Sequence, residues 1–202
     1  MDREILLIVD PMCSWCWGFS PVVRAIEEAY SDYAPIYPIA GGLRPLTSAP
    51  MNDRAKEEIQ NHWEQVKKAS GQSFNFSFFD REIFIYDTEP ACRALVTVRF
   101  LKPKCSLIFL KMLHQAFYAE NRDITDAGVL VALAEAAGVE PSDFKEFFPT
   151  RKMTYLTASD FFRSQSMGVT GFPTIILRAN EKLSLLCAGY RPFSDIKPQI
   201  DD

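Results

Sequence analysis

The sequence predicts an α/β domain split by an all-helical insertion, and three observations carry that reading. Short apolar, strand-like runs occur near the two ends of the chain. The long middle, from about Pro45 to Gly168, has helical periodicity. A Cys-x-x-Cys pair stands where the first strand should give way to the first helix. On this division residues 1–44 and 168–202 form one discontinuous domain, and residues 45–167 are the insertion.

The run Ile5-Leu6-Leu7-Ile8-Val9-Asp10, closed by Pro11, reads as a buried strand. Val22, Val23, Ile26, Ala29 and Tyr33 then recur at three- and four-residue spacing, which predicts a helix that Pro21 bends rather than abolishes. A second strand is expected at Ile36 to Ala40, ending at Gly41-Gly42. In the middle, Asn52 is a cap for a helix carrying Ala55, Ile59, Trp63 and Val66, and Thr88 caps one carrying Cys92, Leu95 and Arg99 that stops before Pro103. Leu107, Leu110, Leu113 and Phe117 mark a third helix. A fourth starts at Thr125 and stops at Gly138. Two further helices are expected around Asp143 to Phe148 and Lys152 to Met167, with Phe74, Phe76, Phe78 and Phe79 as an irregular lid between helices. Strand signals return at Thr174 to Leu177 and Leu183 to Cys187, joined by a hairpin turn at Asn180-Glu181-Lys182. A short helix after Ser194 is expected to be interrupted by Pro198.

Composition narrows the function classes. The 202 residues are 48% hydrophobic and 24% charged, which is the make-up of a folded domain rather than of a disordered chain. A net charge of −4, with scattered basic residues, argues against a nucleic-acid partner. No apolar run approaches the roughly 20 residues that span a bilayer. Asp2-Arg3-Glu4 leads straight into the short first run, unlike a signal peptide, so the expected setting is cytoplasmic and no membrane partner is expected. Five cysteines with one close pair argue against a disulfide framework and for a reducing compartment.

Cys13-Ser14-Trp15-Cys16 lies at the predicted strand-to-helix junction, where unpaired N–H groups and the helix dipole favour negative charge on a side chain. A thiolate is the nucleophile of disulfide exchange, and a thiol one turn later can return to release the partner. Cys13 is therefore expected to attack and Cys16 to resolve. The alternatives are half of a zinc site or two inert core thiols. Zinc would want a second pair, yet Cys92, Cys105 and Cys187 are dispersed and only His62 and His114 are available, so no metal is expected. The second element is Gly171-Phe172-Pro173-Thr174, a proline at the mouth of a strand. A cis Phe172-Pro173 bond there would let the Phe172 backbone pair with an extended substrate; an ordinary trans proline is the plainer alternative.

Together, Asp10-Pro11-Met12-Cys13-Ser14-Trp15-Cys16-Trp17-Gly18 and the distant Gly171-Phe172-Pro173-Thr174 resemble the DsbA-like branch of the thioredoxin superfamily. Gln115-Ala116-Phe117, Asp123-Ile124-Thr125-Asp126 and Val129-Leu130 resemble its helical insertion. Gly41-Gly42-Leu43 is similar to the cytoplasmic group that includes FrnE-like proteins and predicted protein-disulfide isomerases. The resemblance implies a thioredoxin-like fold, an active-site couple at Cys13 and Cys16, and a cis-proline at Pro173 facing it. Ser14-Trp15 replaces the Pro-His of the strongly oxidising periplasmic members, which implies a less oxidising couple.

The expected function is thiol-disulfide oxidoreductase or protein-disulfide isomerase, with protein or small-molecule thiols and disulfides as partners. Trp15, Phe172 and Pro173 are the expected substrate contacts. No tightly held cofactor is expected, and glutathione is a candidate co-substrate with Arg44 as a candidate for its carboxylate. The alternatives are a glutathione-dependent isomerase or transferase of the kappa or 2-hydroxychromene-2-carboxylate isomerase type, its small aromatic substrate in a Phe-lined cleft, and a chaperone-like module. Cys92, Cys105, Cys187 and Trp17 are expected to pack in the core, His114 to be a core or boundary residue, and His62 to be exposed.

Overall fold

Five consecutive residues, Ile5 to Val9, are buried in β1 (Arg3–Val9) because apolar layers cover both faces of that strand. In the computed structural model, which describes residues 3–180 and 182–201, β1 lies inside a four-stranded sheet. The strand order is β2 (Ile36–Ala40), β1, β3 (Thr174–Ala179) and β4 (Lys182–Ala188). β2 runs parallel to β1, with Ile5 opposite Ile36, whereas β3 runs antiparallel to β1 and β4 antiparallel to β3. The two halves of the sheet thus come from the two ends of the chain. Of the expected hairpin turn, Glu181 lies outside the described residues; Ala179 faces Lys182.

Period-two alternation sorts β1 between two cores. Ile5, Leu7 and Val9 join Phe19, Val22 and Ile26 of α1 (Ser14–Tyr30) and Ile196 and Ile200 of α8 (Phe193–Asp201). Leu6 and Ile8 join Ile39 and Ile176 on the other face, against Met167 and Val169. α1 runs through Pro21, as expected, but ends at Tyr30. Tyr33 lies beyond it and is exposed, because the chain turns at Ser31 to bury Ala34. α8 corrects another expectation. It continues through Pro198, since Ile196 and Ile200, both fully buried, anchor its inner face on either side of the proline.

Between the strand pairs lie α2 (Asp53–Ser70), α3 (Glu89–Leu101), α4 (Ser106–His114), α5 (Ala127–Ala136), α6 (Pro141–Phe147) and α7 (Arg151–Ser166). Asn52 caps α2, accepting from the Ala55 N–H at 2.9 Å. The expected cap Thr88 serves differently, and the fourth helix begins just after Thr125. The Thr88 hydroxyl accepts from the Arg44 N–H at 3.1 Å instead of capping α3, and α5 is capped by Asp126, one residue after Thr125, through the Val129 N–H. A π-helical turn at 115–119 extends α4 and keeps Phe117 on its apolar side.

The aromatic stretch is core and not a lid. Phe74, Phe76, Phe78, Phe79, Phe117 and Tyr118 surround the buried Trp63 with ring centroids 4.9–6.0 Å from it. Such offset and edge-to-face packing fills the space that a cleft would need.

The insertion is fastened to the sheet by one buried ion pair. Arg99 of α3 makes a bidentate contact with Asp160 of α7, at 2.7 and 3.0 Å, and Asp160 also accepts from the N–H of Ala40, the last residue of β2, at 2.8 Å. Arg99 donates in addition to the Pro38 carbonyl. The pair therefore fixes where β2 ends. Removing one partner leaves the other charge buried and unpaired. Asp160→Ala is expected to lower stability by about 3 kcal/mol or more in urea unfolding, whereas the double variant Arg99→Met with Asp160→Leu should lose less than either single substitution.

Candidate active site

β1 ends at Val9 and delivers a fully buried carboxylate, Asp10. One Asp10 oxygen accepts from the Met12 N–H at 2.8 Å; the other accepts from the Leu43 N–H at 2.7 Å and from the Cys92 thiol at 3.3 Å. Burial pushes the carboxyl above its ordinary range, and the Leu43 and Met12 donors pull the other way. This residue ties the loop after β1 to the loop after β2. The Asp10 carbonyl also accepts from the Cys13 N–H at 3.0 Å, turning the chain into α1.

Cys13 is the N-cap of α1, and its carbonyl accepts from the Cys16 and Trp17 N–H groups at 3.0 and 3.1 Å. The two thiols, both free, therefore sit one turn apart at the helix start, as the spacing predicts. Cys13 Sγ lies 3.6 Å from the Phe172 carbonyl, and the Phe172-Pro173 bond is cis. Cys16 is the deeper thiol. Its pKa stands well above the ordinary value, first because it is buried and then because the Cys13 thiol is its neighbour.

Trp15 and Phe172 are half-buried and Pro173 is buried; of the three, Phe172 is the one whose carbonyl meets the Cys13 sulfur. The Trp15 ring is tilted against Tyr190 at 6.0 Å. Phe172 lies so close over Gly41 that a Cβ there would come within 2.2 Å of its ring; glycine is required by that approach. Beyond it, the Arg44 guanidinium sits 5.5 Å from the centre of the Tyr86 ring, and the Tyr86 hydroxyl donates to the Met12 carbonyl at 2.7 Å. Arg44 is thereby held close to the Cys13 turn, with its side chain exposed.

His114 is buried, as expected for a core residue. Its Nε2 lies 3.4 Å from the Asp10 carbonyl and its Nδ1 3.5 Å from Ser20 Oγ. Burial lowers its pKa to about 4. Trp17 packs in the core with its indole N–H on the Ser73 carbonyl at 3.0 Å; Cys92 and Cys187 are buried, Cys105 half-buried and His62 exposed. Among the described residues, no group of three or more His, Cys, Asp or Glu side chains stands close enough to hold a metal ion. Sequence reasoning passed over Asp10, Tyr86 and Cys92 as parts of this site. Asp10 alone left a signal, as an acid closing an otherwise apolar strand.

The chain has relatives both in sequence and in fold. The family described as DSBA-like thioredoxin domain matches residues 4–197. The crystal structure of a candidate protein disulfide isomerase from Nitrosomonas europaea superposes with a TM-score of 0.93 at 32% identity, covering 100% of this chain and 97% of that one. The cytosolic disulfide reductase DsbM from Pseudomonas aeruginosa superposes with a TM-score of 0.77 at 22% identity, covering 91% of this chain and 89% of that one, and it has also been solved with GSH. The ClpXP adapter protein SpxH of Bacillus subtilis is 24% identical over 173 residues, 85% of this chain; the match spans 57% of the SpxH length. DsbM, at that identity, shares the fold.

The buried imidazole makes acid stability testable. A group whose pKa falls from 6.5 unfolded to about 4 folded contributes fully above pH 6.5 and is lost as pH falls toward 4. Relative to His114→Phe, the wild type is expected to lose about 3 kcal/mol between pH 7.5 and 4, measured by urea unfolding at each pH. An equal loss in both proteins would show that the imidazole is not buried neutral. Asp10, shifted upward, works in the opposite sense and cancels in the comparison.

Proposed function

The chain belongs to the DSBA-like thioredoxin domain family, and from that premise we propose that it is a thiol-disulfide oxidoreductase using Cys13 and Cys16 as a dithiol/disulfide couple. The observation that carries this reading is the Cys13 sulfur, at the start of α1 and 3.6 Å from the Phe172 carbonyl beside Pro173, with Cys16 one turn deeper. Cys13 as thiolate attacks one sulfur of a substrate disulfide, and the other sulfur leaves with the electron pair. Cys16 then attacks the Cys13 sulfur of the mixed disulfide, forming the Cys13–Cys16 bond and releasing the second substrate thiolate. The substrate gains two electrons and the protein loses two; in isomerisation the released thiolate attacks a second substrate disulfide, and the thiolate this frees displaces Cys13 from the mixed disulfide, with no net change in electrons.

Phe172 lies ahead of β3, outside its ladder, so its backbone is available to an extended chain, with Trp15 and the Phe172 ring as the apolar walls of that contact. Glutathione is the proposed small-molecule partner, which the GSH complex of the similarly folded DsbM supports. A cytoplasmic location is part of this reading, supported by the cytosolic setting named for DsbM. The isomerase or transferase alternative rested on a Phe-lined cleft; those rings pack around Trp63 instead.

Cys13→Ser is expected to abolish disulfide exchange with a model peptide, while Cys16→Ser should accumulate a mixed disulfide detectable by mass spectrometry. Retained exchange in Cys13→Ser would sink the assignment. Arg44→Ala should raise the KM for glutathione about tenfold with little change in exchange against an uncharged dithiol, as loss of one charge-assisted contact implies.

A further inference from the structure

Resolution of the mixed disulfide poses a proton problem. Cys16 must lose its thiol proton while the substrate, bonded to Cys13, covers the side formed by Trp15, Phe172 and Pro173. Behind Cys16 a groove of about 860 Å³ runs between α1 and α4. At its inner end it is lined by Cys16, Trp17, Ser20 and His114; Cys13, Trp15, Phe172 and Pro173 stand outside its walls. Toward solvent its rim is charged, with Arg24 and Glu28 of α1 facing Lys104 and Lys111 of the α4 side, a lining that keeps water at the mouth.

The polar atoms inside are oriented. The Asp10 carbonyl can only accept, so His114 Nε2 carries the hydrogen and Nδ1 turns a lone pair toward Ser20 Oγ. The one Ser20 hydroxyl hydrogen has two acceptors to choose between, that lone pair and the Cys16 carbonyl at 3.4 Å. The titratable groups around His114 are Asp10, whose carbonyl it meets, Tyr118, whose ring is 6.3 Å away, and, along the same groove, Cys16, Arg24, Glu27, Glu28, Lys104 and Lys111. We propose that this groove is the path by which Cys16 exchanges its proton with solvent, and that Ser20 and His114 are positioning residues that hold water beside the thiol. The inference rests on the oxidoreductase reading above. In the resolving step the Cys16 proton passes to groove water, the thiolate pair forms the Cys13–Cys16 bond, and the substrate leaves as a thiolate that is protonated from solvent.

The test uses the reduced full chain and the nitrothiobenzoate disulfide, which releases one coloured thiolate on attack by Cys13 and a second on resolution by Cys16. His114→Ala should slow the second release about tenfold and leave the first unchanged, the size expected for one lost hydrogen-bonding partner. Added imidazole should restore the rate, which it would not do for a packing defect, and His114→Gln should retain most of it. Ala25→Trp, filling the groove from α1, should slow the second release without rescue by imidazole. Should His114→Ala fail to fold, Ala25→Trp decides alone. An unchanged second release in Ala25→Trp, or a slowed His114→Ala that imidazole does not restore, would overturn the proposal. A wild type that gives no second release overturns the dithiol reading itself, and this path with it.

Discussion

A single buried carboxylate organises the catalytic end of this fold. Asp10 accepts from Met12, Leu43 and Cys92, and its carbonyl accepts from Cys13, so one residue holds the thiol turn, the glycine loop and α3 together. An apolar side chain would bury as readily at this strand end. It would leave the N–H groups of Met12 and Leu43 without these acceptors, which inside a protein is costly. The desolvation that raises the Asp10 pKa is the penalty accepted for that junction.

The rest of the structure delivers partners to the same place. Arg99 and Asp160 fix the end of β2 at Ala40, and the next residue, Gly41, is the one over which Phe172 lies. Phe172 in turn presents its carbonyl to Cys13. Helices of the insertion therefore act on the thiol turn through the backbone they place. The aromatic cluster around Trp63 is continuous with the core under β1 and α1, so that the insertion and the sheet share one packed interior.

The two thiols occupy different environments despite being one turn apart. Cys13 lies at the Phe172 and Pro173 edge, while Cys16 is buried, its pKa raised by that burial, and lines the inner end of the groove between α1 and α4. That asymmetry is what the proposed exchange chemistry requires: a substrate would meet one sulfur from the front, and the other sulfur's proton would leave by a separate way behind.

Much of this was legible in the chain. Apolar runs placed all four strands, helical spacing placed the helices, Asn52 marked its cap, and the Cys13 to Cys16 spacing placed both thiols at the start of α1, because each of these signals is carried by residues a few positions apart. The misread features depend on distant partners. Thr88 looked like a cap until Arg44 claimed its hydroxyl, and the phenylalanine stretch looked like a lid until Trp63 gathered it into the core. The site itself is assembled across 33 residues from Asp10 to Leu43, 82 from Asp10 to Cys92, and 159 from Cys13 to Phe172. Local pattern determined the elements and the thiol turn. Which donors, rings and carbonyls surround that turn was decided only by the tertiary structure, since hydrogen bonding and close packing act on distance in space, and the chain carries no record of that distance until it is folded.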